Sequence, residues 1–93
     1  PPFGFCSSLT RGSLAAIART TQKVATALKK AFAADGVTLQ QANERAGGQV
    51  VFHLHMHVLP RHDGVALLPA ASRKEDLKVL EDQATRIIAA LKE

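Results

Sequence analysis

The run Phe52-His53-Leu54-His55-Met56-His57-Val58-Leu59 alternates histidine with apolar residues. That period of two constrains the chain more than any other feature. Extended backbone turns successive side chains to opposite faces. As a strand, the run places His53, His55 and His57 on one face and Phe52, Leu54, Met56 and Val58 on the other. Neighbouring histidines then sit roughly 6.5–7 Å apart, two strand rises. A helix would scatter the imidazoles around its axis. The flanks also favour a strand, since Val50, Val51 and Phe52 are good β-formers and Pro60 is expected to stop the ladder.

Three imidazoles on one face need a chemical reason. Buried and unpartnered, they would cost free energy, so a purely structural array is the less economical reading. An expression tag would be contiguous and terminal, whereas these residues alternate with core formers in mid-chain. Two functional readings remain. Neutral imidazoles at this spacing can bind zinc or copper. Alternatively, one imidazole serves as a nucleophile while its neighbours handle protons and developing negative charge.

The surrounding residues separate these readings. Asn43, the step Gly47-Gly48-Gln49, and His53-Leu54-His55-Met56-His57-Val58-Leu59 together resemble the signature of the histidine triad (HIT) family. That signature is His-φ-His-φ-His-φ-φ with φ apolar, and all seven positions match. The resemblance extends to the Ala-Leu-Lys-Lys stretch upstream, to Asp35-Gly36-Val37-Thr38-Leu39, and to Leu59-Pro60-Arg61. It covers about residues 20–65 and is specific, whereas a lone His-x-His would be weak.

The resemblance implies a nucleotide hydrolase or nucleotidyl transferase. Such enzymes act at the α-phosphorus of nucleoside phosphoramidates or dinucleoside polyphosphates, so purine nucleoside monophosphate derivatives are the implied partners. By the same resemblance His55 is the nucleophile that forms a nucleotidyl-imidazole, His57 meets the phosphate or leaving group, and His53 orients the cluster. Gln49, Asn43 and Gly48 form the implied phosphate-binding set. The chemistry suits the residue type, because imidazole titrates near about 6.5 and is largely free base at neutral pH. No metal is required for this route. A second class stays open: a binding module that keeps the triad without turnover and holds a nucleotide or Zn²⁺ on His53, His55 and His57. Two departures from the family stand out. Val50 occupies the position after Gln49 where Ser or Thr is common. Residues 1–12 form an atypical start, leaving no room for the β-hairpin region with which family domains usually begin.

Ninety-three residues suit a single domain with a modest core, here rich in Ala and carrying only four aromatics, all Phe. Burying further apolar surface in a homodimer would help, and the resemblance implies one; Ala25, Ala27 and Ala31 would permit close approach. The lone Cys6 excludes an intramolecular disulfide and agrees with a reducing, cytoplasmic setting. No apolar run reaches the length of a membrane span, and no signal peptide is visible at the start. The net charge of +4 does not point to nucleic acid. The basic residues are dispersed, Trp and Tyr are absent, and Arg19, Lys23, Lys29 and Lys30 read as the solvated face of a helix.

The organisation follows from periodicity. Ser13 is the expected N-cap of an amphipathic helix through about residue 34, with Leu14, Ile17, Thr21, Val24, Leu28 and Phe32 as its apolar stripe. Gly36 is the expected left-handed position after it. Residues 37–41 read as a strand, 43–48 as a turn, and the histidine strand completes an antiparallel hairpin. Residues 60–71 form a loop in which Arg61 and His62 face solvent. A capping box at Ser72-Arg73-Lys74-Glu75 opens a second helix striped by Leu77, Leu80, Ala84, Ile87, Ile88 and Leu91. The expected fold is α+β, HIT-like: two helices on one face of a short antiparallel sheet, with the histidines on the other.

Overall fold

A computed structural model describes residues 9–51, 53–69 and 74–93. Helix α1 spans Arg11–Ala31, strand β1 Gly36–Gln40, strand β2 His57–Arg61 and helix α2 Leu77–Leu91, with a short 3₁₀ turn at Arg45–Gly47 between the strands. Residues 1–8, which include Cys6, lie outside the described residues, as do Phe52 and residues 70–73.

Helix α1 starts three residues before the expected point. Thr10 is its N-cap, and the Thr10 hydroxyl accepts the Ser13 amide at 3.0 Å. Ser13 is therefore the capped residue and not the cap. The periodic stripe does face inward: Thr21 and Leu28 are buried, and Ile17, Val24 and Phe32 are half-buried. Arg19, Lys23, Lys29 and Lys30 are exposed, as anticipated for a solvated face. At the far end the left-handed residue is Ala33 (φ 48°), not Gly36, which opens β1. Alanine there carries a Cβ penalty that glycine would avoid.

The two strands pair antiparallel, with Gly36 opposite Arg61, Val37 opposite Pro60, Thr38 opposite Leu59, Leu39 opposite Val58 and Gln40 opposite His57. The hairpin is as expected, but its boundaries are not. Strand β2 begins at His57 and runs through Pro60 to Arg61, so His53 and His55 precede the strand. Pro60 is tolerated because, among the described residues, β2 pairs only with β1 and has a free edge that needs no donor. Arg61 is not a solvent-facing loop residue. Its guanidinium donates to the Thr38 hydroxyl at 3.2 Å and to the Val65 carbonyl at 3.1 Å, tying the strand end to the following loop.

Helix α1 lies on the sheet, while α2 packs mainly against α1 and not beside it on the sheet. The N-cap of α2 is Asp76, whose carboxylate accepts the Lys78 amide at 2.7 Å. The capping box was thus placed too early; its Ser72 and Arg73 lie outside the described residues. The α2 stripe is only partly used, with Ile87 and Leu91 half-buried but Leu77, Leu80 and Ile88 exposed. Among the described residues, Ala27, Leu28 and Ala34 are the buried apolar ones, a small core.

One polar clamp therefore matters to the α1–α2 contact. Arg86 on α2 donates to the Ala31 carbonyl at 2.7 Å, satisfying an unpaired carbonyl at the end of α1, and its guanidinium lies 4.8 Å from the Phe32 ring centre. A Lys30–Glu93 ion pair adds a second, exposed link. Arg86→Ala is expected to lower stability by about 1–2 kcal/mol, the low end for a charged donor plus a ring contact at an exposed site. Thermal unfolding would show this, and Arg86→Lys would recover only part of it. Among the described residues no helix is long and apolar enough to cross a membrane.

Candidate active site

The parity of the histidine run survives where its extended ladder does not. Met56 and Val58 turn toward α1 and line an apolar groove with Ile17, Thr20 and Val24. His55 and His57 turn the other way, into a cleft of about 280 Å³ shared with Gln40, Ala42, Gly48, Gln49, Val50 and Val51. That volume lies at the small end for ligand sites. Their rings stand 4.9 Å apart between centres, tilted by 56°.

The backbone sets the chemistry of His55. Its Nδ1 lies 2.7 Å from the His53 carbonyl oxygen. A carbonyl can only accept, so Nδ1 carries the proton and the lone pair of the neutral ring resides on Nε2. His55 is thereby oriented by the main chain of residue 53. The His53 imidazole itself is exposed, sits 3.3 Å through Nδ1 from the Leu54 carbonyl, and does not line the cleft. Among the described residues no three His, Cys, Asp or Glu side chains are arranged to hold a metal ion.

The turn that forms the opposite wall is held by its own polar groups. Gln49 is only 5% exposed. Its side-chain oxygen accepts the Glu44 amide and its nitrogen donates to the Val51 carbonyl at 3.1 Å. The Gln49 amide in turn donates to the Glu44 carbonyl at 2.9 Å. Gln49 thus binds both polar groups of Glu44, a residue held at φ 63°, ψ 169°. That region is essentially glycine's, and holding another residue there costs about 1–3 kcal/mol. Gly48 follows at φ 95°, where its lack of a Cβ answers a conformational need and not a lack of room.

Asn43 does not line the cleft. It exchanges two hydrogen bonds with Gln41, of 2.9 and 2.8 Å, through their carboxamides. Of the residues expected at the site, then, the fold brings together His55, His57, Gly48 and Gln49, and sets the His53 ring and Asn43 outside the lining. Gln40, Ala42 and Val51 were not anticipated. Gln40 would have been found from hairpin register, which pairs it with His57, but register depends on a turn of irregular geometry. Val50 is 84% exposed at the cleft edge. His62 is exposed, as expected; it sits 3.9 Å from Asp35 beyond the far end of β2.

The fold has counterparts of known kind. A model of the HIT domain matches residues 6–64, more than half of the chain. The adenylylsulfatase HINT3 of Arabidopsis thaliana is 28% identical over 79 residues, covering 85% of this chain and 40% of that protein. Among solved structures, a HIT-like protein involved in cell-cycle regulation from Bartonella henselae is 41% identical, with a TM-score of 0.81, over 89% of this chain and 60% of that one. A hypothetical histidine triad nucleotide-binding protein from Sulfolobus tokodaii superposes with a TM-score of 0.86 at 26% identity, over 97% of this chain and 63% of that one. The chain thus spans less than two thirds of each of these relatives. With the signature run, the hairpin and the helix behind it all in place, this chain belongs to the HIT domain family.

Proposed function

We propose that this protein is a nucleotide hydrolase or nucleotidyl transferase that attacks the α-phosphorus of a nucleoside phosphoramidate or dinucleoside polyphosphate through His55. One observation carries the reading: the His53 carbonyl engages His55 Nδ1, the arrangement that in the neutral ring puts the lone pair on Nε2, beside the His57 ring. In the first step Nε2 forms a bond to phosphorus while the bond to the leaving group breaks. His57 supplies the proton that the departing amine or phosphate needs. Water then attacks the nucleotidyl-imidazole and passes a proton to His57, now the free base; the P–N bond breaks with its electron pair returning to Nε2, and the mononucleotide leaves with both histidines restored. Two displacements at phosphorus give net retention of configuration and ping-pong kinetics. An imidazolium at His57 would also stabilise charge developing on the phosphoryl oxygens.

Support for attack at an adenylyl phosphorus comes from family membership and from the plant relative's name, which describes hydrolysis of adenylyl sulfate, a mixed anhydride. The test is release of AMP from adenosine 5′-phosphoramidate, diadenosine tetraphosphate and adenylyl sulfate, followed by chromatography. Turnover of either of the first two supports the reading; turnover of adenylyl sulfate alone would keep attack at the α-phosphorus but overturn the substrate class. No release from any, at micromolar protein, would contradict it.

We further propose that the protein acts as a homodimer. Ala18, Gln22, Leu39 and Met56, all exposed, and half-buried Ala25 form a mostly apolar surface on the α1 side. Ala25 belongs to it, but Ala27 is already buried within the chain, and Ala31 supplies its carbonyl to Arg86. A dimeric mass by light scattering is expected at micromolar concentration, with Met56→Lys giving the monomer. A monomeric wild type would overturn this.

A further inference from the structure

Four neutral carboxamides lie in or beside the histidine cleft, and three are committed to the protein. Gln41 and Asn43 bond each other, while Gln49 braces Glu44 and Val51. The fourth, Gln40, is exposed, lines the cleft, and makes no hydrogen bond through its side chain to the described residues. In the ladder it sits opposite His57. Residues directly opposed across an antiparallel pair project on the same face, with Cβ atoms about 4.5–5.5 Å apart. Gln40 is therefore the carboxamide placed to meet whatever His57 meets.

The rest of the lining narrows what that is. Among the described residues, no Lys, Arg, Asp or Glu lines the cleft. Arg61 shares the His57 face of β2 but lies four residues along, and its guanidinium is engaged by Thr38 and Val65. A polyphosphate leaving group is polyanionic and is best held by fixed cations. An amine leaving group needs instead a neutral partner that both donates and accepts, which a carboxamide supplies.

We propose that Gln40 is a specificity-determining residue that hydrogen-bonds the leaving group beside His57, so that the cleft favours phosphoramidates over dinucleoside polyphosphates. The proposal rests on the reading of His55 as nucleophile given above and chooses between the two substrate classes it leaves open.

The test compares kcat/KM for an adenosine 5′-alkylphosphoramidate and for diadenosine tetraphosphate in wild type, Gln40→Ala and Gln40→Arg. Wild type is expected to prefer the phosphoramidate. Gln40→Ala should lower that preference about 5- to 10-fold, the size of one net hydrogen bond. Gln40→Arg should lower it further by favouring the polyanion. Equal losses on both substrates would mean a merely structural role and overturn the proposal, as would a wild-type preference for the tetraphosphate. Binding gives a readout independent of turnover: in His55→Ala, the Gln40 side-chain amide resonances should shift when the uncleaved alkylphosphoramidate is titrated in. Binding that leaves those resonances unmoved would remove Gln40 alone. Absence of both turnover and binding would remove the nucleophile reading and this proposal together.

Discussion

His55→Ala is expected to reduce AMP release by at least about 10³-fold, because it removes the atom that bonds phosphorus and not one of several supports for it. The fold should be untouched. His55 is exposed, and its Nδ1 meets the carbonyl of residue 53, which solvent can satisfy once the ring is gone. His57→Ala should behave differently. It leaves Nε2 of His55 in place and slows departure of the leaving group, so the loss should be largest for poor leaving groups and smallest for good ones. Side-by-side rates on a phosphoramidate series, with circular dichroism to verify folding, check both expectations. Activity retained in purified His55→Ala would remove the nucleophile assignment.

Gln49→Ala is the second large effect, and it falls on stability and activity together. The Gln49 side chain is buried and satisfies the Glu44 amide and the Val51 carbonyl on either side of the turn. Removing it strands polar groups in a part of the backbone already under torsional load at Glu44. The expected loss is about 1–3 kcal/mol, which lowers Tm by roughly 5–15 °C in a domain of this size. Because Gly48, Val50 and Val51 form one wall of the cleft, kcat/KM should fall by about tenfold or more as that wall loosens. A side chain acting only by donating to a phosphate oxygen would show the kinetic loss with Tm unchanged. Thermal unfolding and kinetics on the same preparation distinguish the two.

Much of the frame was legible in the sequence, for physical reasons that can be named. The α1 stripe from Ile17 to Phe32 has the period of a helix, and burial of Thr21 and Leu28 follows from it. The alternation of the histidine run predicted which side chains turn toward α1 and which away, and Met56, Val58, His55 and His57 obey it. Alternation reports side-chain facing, however, and not pairing. His55 keeps the period ahead of the strand, while Pro60 sits inside β2 because, among the described residues, that strand has a free edge that needs no amide donor.

Helix ends were legible only to within a turn. Thr10 and Ser13 both have capping side chains, and the choice between them depends on where the chain leaves the helix axis. The same holds for Asp76 against the residues before it. The wall of the cleft was the least legible part. The left-handed backbone at Glu44 is not signalled by that residue type, and it determines where Gln49 and Gly48 come to lie. Asn43 is drawn to Gln41 by local amide geometry, a preference that a motif reading does not contain. Gln40 became visible only when register placed it opposite His57.

The most direct test of the central claim is intact mass of the wild-type protein after brief incubation with adenosine 5′-phosphoramidate, quenched so that P–N bonds survive, with His55→Ala in parallel. The account predicts one added adenylyl group on the wild type and none on the variant. An adduct that persists in His55→Ala would contradict it, as would AMP release by the wild type with no adduct under any quench.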